Sequence, residues 1–209
     1  MALNSYDLLK TAVANWLERS DLTDRVPEFI TLAESRIARR LRIRSMESRD
    51  TSITTVAGTE YYTLPTDFLE ARNVQLNLDP IRVLKYRTPQ QLDREYSSNS
   101  TGEPCVFSII GTEIQLRPIP ESATVLEIAY FGKLPALSAS NTTNWFTTNA
   151  PDLILYGALL EASAFLVDDA RVPGWKALFD QSIAEWNQAD EKGRYSGSHL
   201  EQRTTTGNP

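Results

Sequence analysis

The sequence predicts an α+β fold in which helices from both chain ends form one bundle and a β region is inserted between them. Three observations predict it. Apolar residues recur at helical spacing over residues 5–45 and again over 149–195. Residues 52–131 change to short β-branched runs broken by Gly and Pro. One stretch near the end, 153–167, is apolar on every face, which a helix exposed on one side is not.

The elements follow in order. A first helix is expected over 5–19, with Leu9, Val13, Trp16 and Leu17 as its buried stripe. Ser20-Asp21-Leu22-Thr23 breaks it and caps a second helix over 24–45, whose apolar positions are Ile30, Ala33, Ile37 and Leu41, with Phe29 beside them. The two form an antiparallel hairpin. Strands are expected over 52–56, 61–64, 72–78, 81–86, 105–110, 113–117 and 125–131. Gly111-Thr112 suits a two-residue hairpin with Gly first. Thr88-Pro89-Gln90-Gln91-Leu92-Asp93 opens a short helix inside this region, and 97–102 is a polar loop.

The next helix is expected over 149–168. Asn149 serves as its cap, Pro151 occupies its first turn, and Asp152 meets the positive end of the helix dipole. Leu153, Tyr156, Leu160 and Val167 make one stripe, while Ile154, Leu155, Leu159, Phe165 and Leu166 fill the other faces. Such a helix is buried either inside one chain or partly by a neighbouring copy. Glu161 interrupts the run and Asp168-Asp169 ends it, short of the roughly 20 apolar residues that cross a bilayer. A last helix over 170–195 carries Val172, Trp175, Phe179, Ile183 and Trp186 near one face, and 196–209 is polar. No internal repeat is present.

Composition narrows the chemistry. The 209 residues suffice for one large domain or two small ones, and 41% hydrophobic content supports a real core. A net charge of −6 opposes tight sequence-independent DNA binding. With Cys105 alone, no intrachain disulfide forms, and a lone Cys in an apolar strand reads as a small core residue. The start, Met1-Ala2-Leu3-Asn4-Ser5, runs into an amphipathic helix with no secretory pattern, so folding in a cytoplasm is expected.

Catalytic, cofactor-binding and metal-binding residues are all expected to be absent. His199, the single histidine, lies in the polar tail without the positioned partner that acid–base catalysis needs. No Cys/His cluster has metal-ligand spacing, and no phosphate-binding glycine motif appears. Asp168-Asp169 reads as a helix-junction cap. Arg36, Arg40 and Arg44 recur every four residues, with Arg39, Arg42 and Arg49 nearby. They read as a solvated face with local ion pairs, as a contact with another subunit or protein, or as a DNA contact, the acidic net charge weighing against the last. Trp145, in a loop, is the aromatic placed to pack across a boundary.

Four motifs in order carry a resemblance. They are Leu64-Pro65-Thr66-Asp67-Phe68-Leu69-Glu70; Thr88 to Asp93; Gly111-Thr112-Glu113-Ile114-Gln115-Leu116-Arg117-Pro118-Ile119-Pro120; and the run from Tyr130 through Asn144-Trp145 and Ala150-Pro151-Asp152-Leu153 to Tyr156-Gly157-Ala158-Leu159-Leu160-Glu161-Ala162. Over about 6–186 the chain resembles the head-to-tail adaptor (connector, tail tubular A-like) proteins of tailed bacteriophages. The resemblance implies a helical bundle with an inserted antiparallel β-sandwich-like domain. It implies a dodecameric ring in the virion that docks below the portal protein, carries a downstream tail or nozzle protein, and offers DNA a channel without specific binding. The free chain is expected to be a monomer, and no membrane is involved. The tail, with His199, Leu200 and Arg203, matches in position the segment that related adaptors extend toward the portal.

The expected domains are 1–47 with 146–195 as a discontinuous bundle, 48–145 as the β domain, and 196–209 as a polar extension. Two other readings stand beside the adaptor: a virion-associated cell-wall glycosidase built on a carboxylate pair, and a head-completion or DNA-binding protein that forms no ring.

Overall fold

The computed structural model describes residues 3–166 and 169–195. In chain order its elements are α1 (Tyr6–Leu17), α2 (Val26–Arg40), β1 (Glu47–Thr54), β2 (Tyr61–Thr63), β3 (Phe68–Leu76), β4 (Arg82–Val83), β5 (Lys85–Tyr86), α3 (Pro89–Glu95), β6 (Thr101–Gly102), β7 (Val106–Ile110), β8 (Glu113–Arg117), β9 (Ile119–Pro120), β10 (Val125–Gly132), α4 (Trp145–Asn149), α5 (Pro151–Ala162) and α6 (Val172–Tyr195). Short 3-10 segments occupy Ser20–Arg25, Arg44–Met46 and Ser163–Phe165. The fold is α+β, with helices at both ends and a strand-rich middle. The chain forms two compact units: the described residues up to Arg44 with those from Ala136 onward, and Ser45–Pro135. The second boundary lies ten residues before the expected 145/146, because the segment after Pro135 is fastened to α2 by side-chain hydrogen bonds described below.

In the helical unit α5 is the centre. Leu153, Ile154, Leu155, Ala158, Leu159 and Leu160 are all buried, so burial runs right round the helix. Its neighbours α1, α2, α4 and α6 belong to the same unit, so one chain covers it. Gly157 permits the closest approach: a Cβ there would lie 3.0 Å from the Ala33 Cβ of α2 and 3.2 Å from the Phe179 ring of α6. The apolar stripe of α6 is buried at Trp175, Phe179 and Ile183.

Several boundaries differ from expectation. The second helix stops at Arg40 rather than near 45, because Leu41 is extended (φ −99°, ψ 131°) and the Arg42 guanidinium donates to the Ala38 and Leu41 carbonyls in place of the next turn. The helix expected over 149–168 is α5 followed by a 3-10 turn, and Asn149 does not cap it: Asn149 is the last residue of the separate helix α4, and its amide donates to the Trp145 carbonyl. Asn144 caps α4, its Oδ1 accepting from the N–H of Phe146 at 3.0 Å and Thr147 at 3.2 Å. Pro151, which has no N–H to give, starts α5 after the break at Ala150. Val167 and Asp168 lie outside the described residues. Trp16, placed in the α1 stripe, is 45% exposed and meets Tyr156 edge-on at 6.0 Å.

The β unit is two four-stranded sheets with a short pair beside them. One sheet has the order β1-β10-β3-β4, all antiparallel; the other is β2-β8-β7-β5; β6 pairs with β9. Val74, Leu76, Leu126 and Ile128 of the first sheet share a core with Tyr62, Phe107, Ile114 and Leu116 of the second. Gly111, at φ +61°, turns β7 back into β8, as the Gly-first hairpin requires. The strand expected over 81–86 splits at Leu84. Its first half donates to β3, through Leu84 N–H to Val74, and its second half donates to the β7 side, through Lys85 N–H to Cys105 and Arg87 N–H to Phe107. The sheets are antiparallel, as expected, except that the crossing strand pairs β5 with β7 in parallel and β6–β9 is parallel as well. Thr88 caps α3 through a reciprocal pair with Gln91, and Leu92 of α3 is fully buried.

Candidate assembly surfaces

The arginines of α2 stand four residues apart and so share one face. Arg36 Nε lies 2.5 Å from Glu161 Oε1 of α5, and Arg40 Nη1 lies 2.6 Å from Asp180 Oδ1 of α6. Lys176 Nζ takes the other oxygen of Asp180 at 2.8 Å, and these two cations hold Asp180 below the usual carboxylate range. Arg40 also lies over the Phe179 ring, 5.5 Å from its centroid. Arg44, just past the helix, has Asp190 of α6 at 3.5 Å. Each of the three therefore has a carboxylate partner within the helical unit. Their side chains remain 38%, 44% and 56% exposed, so each guanidinium still offers an open edge.

Trp145, expected in a loop, is the first residue of α4 and half-buried. Its ring meets Trp186 of α6 edge-on at 4.9 Å and Phe146 at 5.5 Å. His199, Leu200 and Arg203 lie outside the described residues. Apolar side chains also reach solvent: Leu32 on α2 and Leu178 on α6 in the helical unit, and Ile81, Val83 and Tyr86 along β4 and β5. In the β unit Val83 and Tyr86 flank a groove of about 570 Å³, with Phe68, Ala71, Phe107 and Ile109 among its walls.

Two anchors were not singled out from the sequence. Glu34, buried on α2, accepts from the Leu137 N–H at 3.0 Å and from Asn144 Nδ2 at 3.0 Å, fastening both ends of the segment that leads to α4. Its position was a readable signal, since Glu34 falls between Ala33 and Ile37 on an otherwise apolar face. Asp67 is the second. Its Oδ1 accepts from the Tyr130 hydroxyl at 2.9 Å, and its carbonyl from the Lys133 N–H at 2.6 Å. A Cβ on Gly132 would lie 2.6 Å from Asp67 Oδ2, so glycine is what fits there. Burial first, and then the bond to Asp67, pushes the Tyr130 hydroxyl up to about 12. Here Leu64-Pro65-Thr66-Asp67 and the end of β10, far apart in sequence, meet. Cys105, read as a core residue, is half-buried with its Sγ 3.0 Å from the Tyr96 hydroxyl.

Among the described residues no group of three or more His, Cys, Asp or Glu side chains is placed to hold a metal ion. No described helix is long and apolar enough to cross a membrane. The groove in the β unit carries one carboxylate, Glu70. Another groove, of about 520 Å³ beside α1, carries Asp7 and Asp24, the first tied to Lys10 at 2.8 Å.

The family model described as SU10 adaptor protein matches residues 4–202 of the chain. No curated protein matches it.

Proposed function

Because the chain belongs to the SU10 adaptor protein family, we propose that it is the head-to-tail adaptor of a phage virion, assembled as a dodecameric ring docked below the portal protein. The coarse role is structural: the chain is a phage adaptor. In the ring, helical units stand side by side, and the β units present a surface to the downstream tail or nozzle protein. Genome DNA passes through the central channel without specific binding, in keeping with a net charge of −6 per copy. The chain is made in the host cytoplasm, stays monomeric when free, and enters the virion at the neck.

The observation that carries this reading is the family match over residues 4–202, which spans both units rather than one of them. Exposed chemistry supports it. The open edges of Arg36, Arg40 and Arg44 are suited to carboxylates of a neighbouring copy or of the portal. Trp145, already held edge-on against Trp186, offers a rigid aromatic surface for such a contact. His199, Leu200 and Arg203 are assigned to the portal side.

The decisive experiment mixes the purified chain with its portal ring and images the product. A second layer of twelve copies supports the proposal; no association at any salt concentration overturns it. Removing residues 196–209 is expected to weaken docking and leave the fold intact. Equal docking by the shortened chain would remove His199, Leu200 and Arg203 from the interface.

A further inference from the structure

The chain leaves the helical unit after Arg44, and the way it is held there singles out the end of α6. Residues 41–43 form no regular element. Leu41 and Ile43 are buried, and Arg42 and Arg44 alternate with them. The backbone of this short linker carries N–H groups that no helix or strand uses, and α6 supplies acceptors for two of them. Asp190 Oδ1 accepts from the Arg44 N–H at 2.7 Å, and Asn187 Oδ1 lies at 3.5 Å from the Arg42 N–H. The Asn187 amide also reaches the Arg40 carbonyl at 3.5 Å. Gly193 completes the contact: a Cβ there would lie 2.3 Å from Arg44 Nη2. Asn187, Asp190, Gly193 and Arg194 follow helical spacing, so one face of the last two turns is given over to the linker.

The Asp190 carboxylate is only 8% exposed and its two oxygens have different duties. One holds the linker amide; the other accepts from Arg194 Nε at 2.6 Å, one turn further along α6. The orientation that suits Arg44 is thus fixed from the final turn of the helix.

We infer that the last two turns of α6 are a clamp on the outgoing linker, with Asp190 as its positioning residue, so that the order of residues 41–44 depends on the helical state of 187–194. A partner that reshapes the end of α6 would thereby loosen or tighten the chain leading into β1. The inference concerns the free monomer and does not rest on the ring.

Hydrogen exchange on the full chain tests it by comparing a peptide covering 41–47 with one covering α5. Asp190→Ala should speed exchange in 41–47 about tenfold, the loss of a hydrogen bond to a charged acceptor, and leave α5 within about twofold of wild type. Glu191→Pro, which breaks the last turns while keeping Asp190, should reproduce that local change. Wild-type exchange at 41–47 in either variant overturns the clamp. If Asp190→Ala speeds both peptides equally, Asp190→Asn decides. It keeps an acceptor oxygen, so protection at 41–47 supports the clamp and its loss there overturns it. Failure here would leave portal docking untouched, and failure to dock would leave the clamp untouched.

Discussion

The helical unit and the β unit differ in how fully their buried polar groups are paired. In the helical unit the centre is one helix, α5, whose buried side chains are apolar; the buried polar side chains around it, Glu34, Thr147 and Ser182, each make a hydrogen bond, and Arg36 with Glu161 and Arg40 with Asp180 stand at the rim. In the β unit the inter-sheet core is apolar, but the far side of the second sheet buries Ser108, Gln115 and Arg117. Arg117 Nη2 lies 2.5 Å from Glu60 Oε2, a charge pair whose angles fall short of a hydrogen bond. With Ser108 Oγ and Arg117 Nε, that oxygen makes up the buried side-chain polar atoms without a hydrogen bond among the described residues. The contrast has a geometric cause. Around the central helix the packed helices and the segment before α4 bring a partner to each buried polar side chain. A sheet has two faces, and when a helix as short as α3 lies against the second, polar residues on that face are buried as well.

The contrast can be broken most forcefully by emptying each core. Leu159→Ala in α5 and Leu116→Ala in β8 both remove fully buried side chains, and each should cost about 2–5 kcal/mol. Urea unfolding followed by circular dichroism checks this. If the units are energetically separate, each substitution shifts a different transition; one shared transition for both would show that they unfold as one.

Next in size is the polar anchor of the helical unit. Glu34→Ala removes the acceptor for the Leu137 N–H and the Asn144 amide, and should cost about 1–3 kcal/mol. The amides of residues 136–144 should lose protection in hydrogen exchange. Unchanged protection would show that the segment is held by packing instead.

Tyr130→Phe asks the corresponding question of the β unit and should cost about 1 kcal/mol, the net worth of its bond to Asp67. The pH dependence has a definite sign. An unfolded tyrosine ionises near 10, whereas folded Tyr130 does so at about 12. Folded protein therefore keeps a proton that unfolded protein has lost, and this stabilisation, complete below about 10, disappears as pH rises toward about 12. Denaturation across that window should show a falling stability that is shallower in the Phe variant.

The smallest effect belongs to the rim. Arg36→Ala and Arg40→Ala should each change monomer stability by no more than about 1 kcal/mol, because both pairs are partly exposed. Thermal unfolding of the monomer measures that, and portal binding by the double variant measures the surface role. A loss in stability well above this figure would move these pairs from the rim into the framework of the unit.

Much of this was legible in residue patterns. The Trp175, Phe179 and Ile183 part of the last stripe and the Gly111 hairpin are short-range signals that appear in the structure; the all-round burial expected over 153–167 appears over 153–160, whereas Phe165 is 41% exposed. Legibility failed where two weak local signals competed. Asn144 and Asn149 both suit a helix start, and nothing nearby says that Phe146 and Thr147 will offer their N–H groups to the first. It failed again for Trp16, whose spacing fits a buried stripe but whose ring lies at the edge beside Tyr156. The surface arginines were visible as a spaced set, but their partners were not: Glu161 lies 125 residues from Arg36, and Asp180 lies 140 from Arg40.

By itself the order of residues determined where the chain changes from a period of 3.6 to a period of two and back, and that one helix must be covered on all sides. These are properties of neighbouring residues, set by backbone sterics and the solvation of nearby side chains. Only the tertiary structure decided that Leu41 ends α2, that the strand at Leu84 crosses from one sheet to the other, and that Glu34, Asp67 and Asp190 would each hold a distant backbone N–H or hydroxyl. Those outcomes depend on which surfaces meet across long stretches of chain, and a buried donor takes whichever acceptor the packing brings within reach.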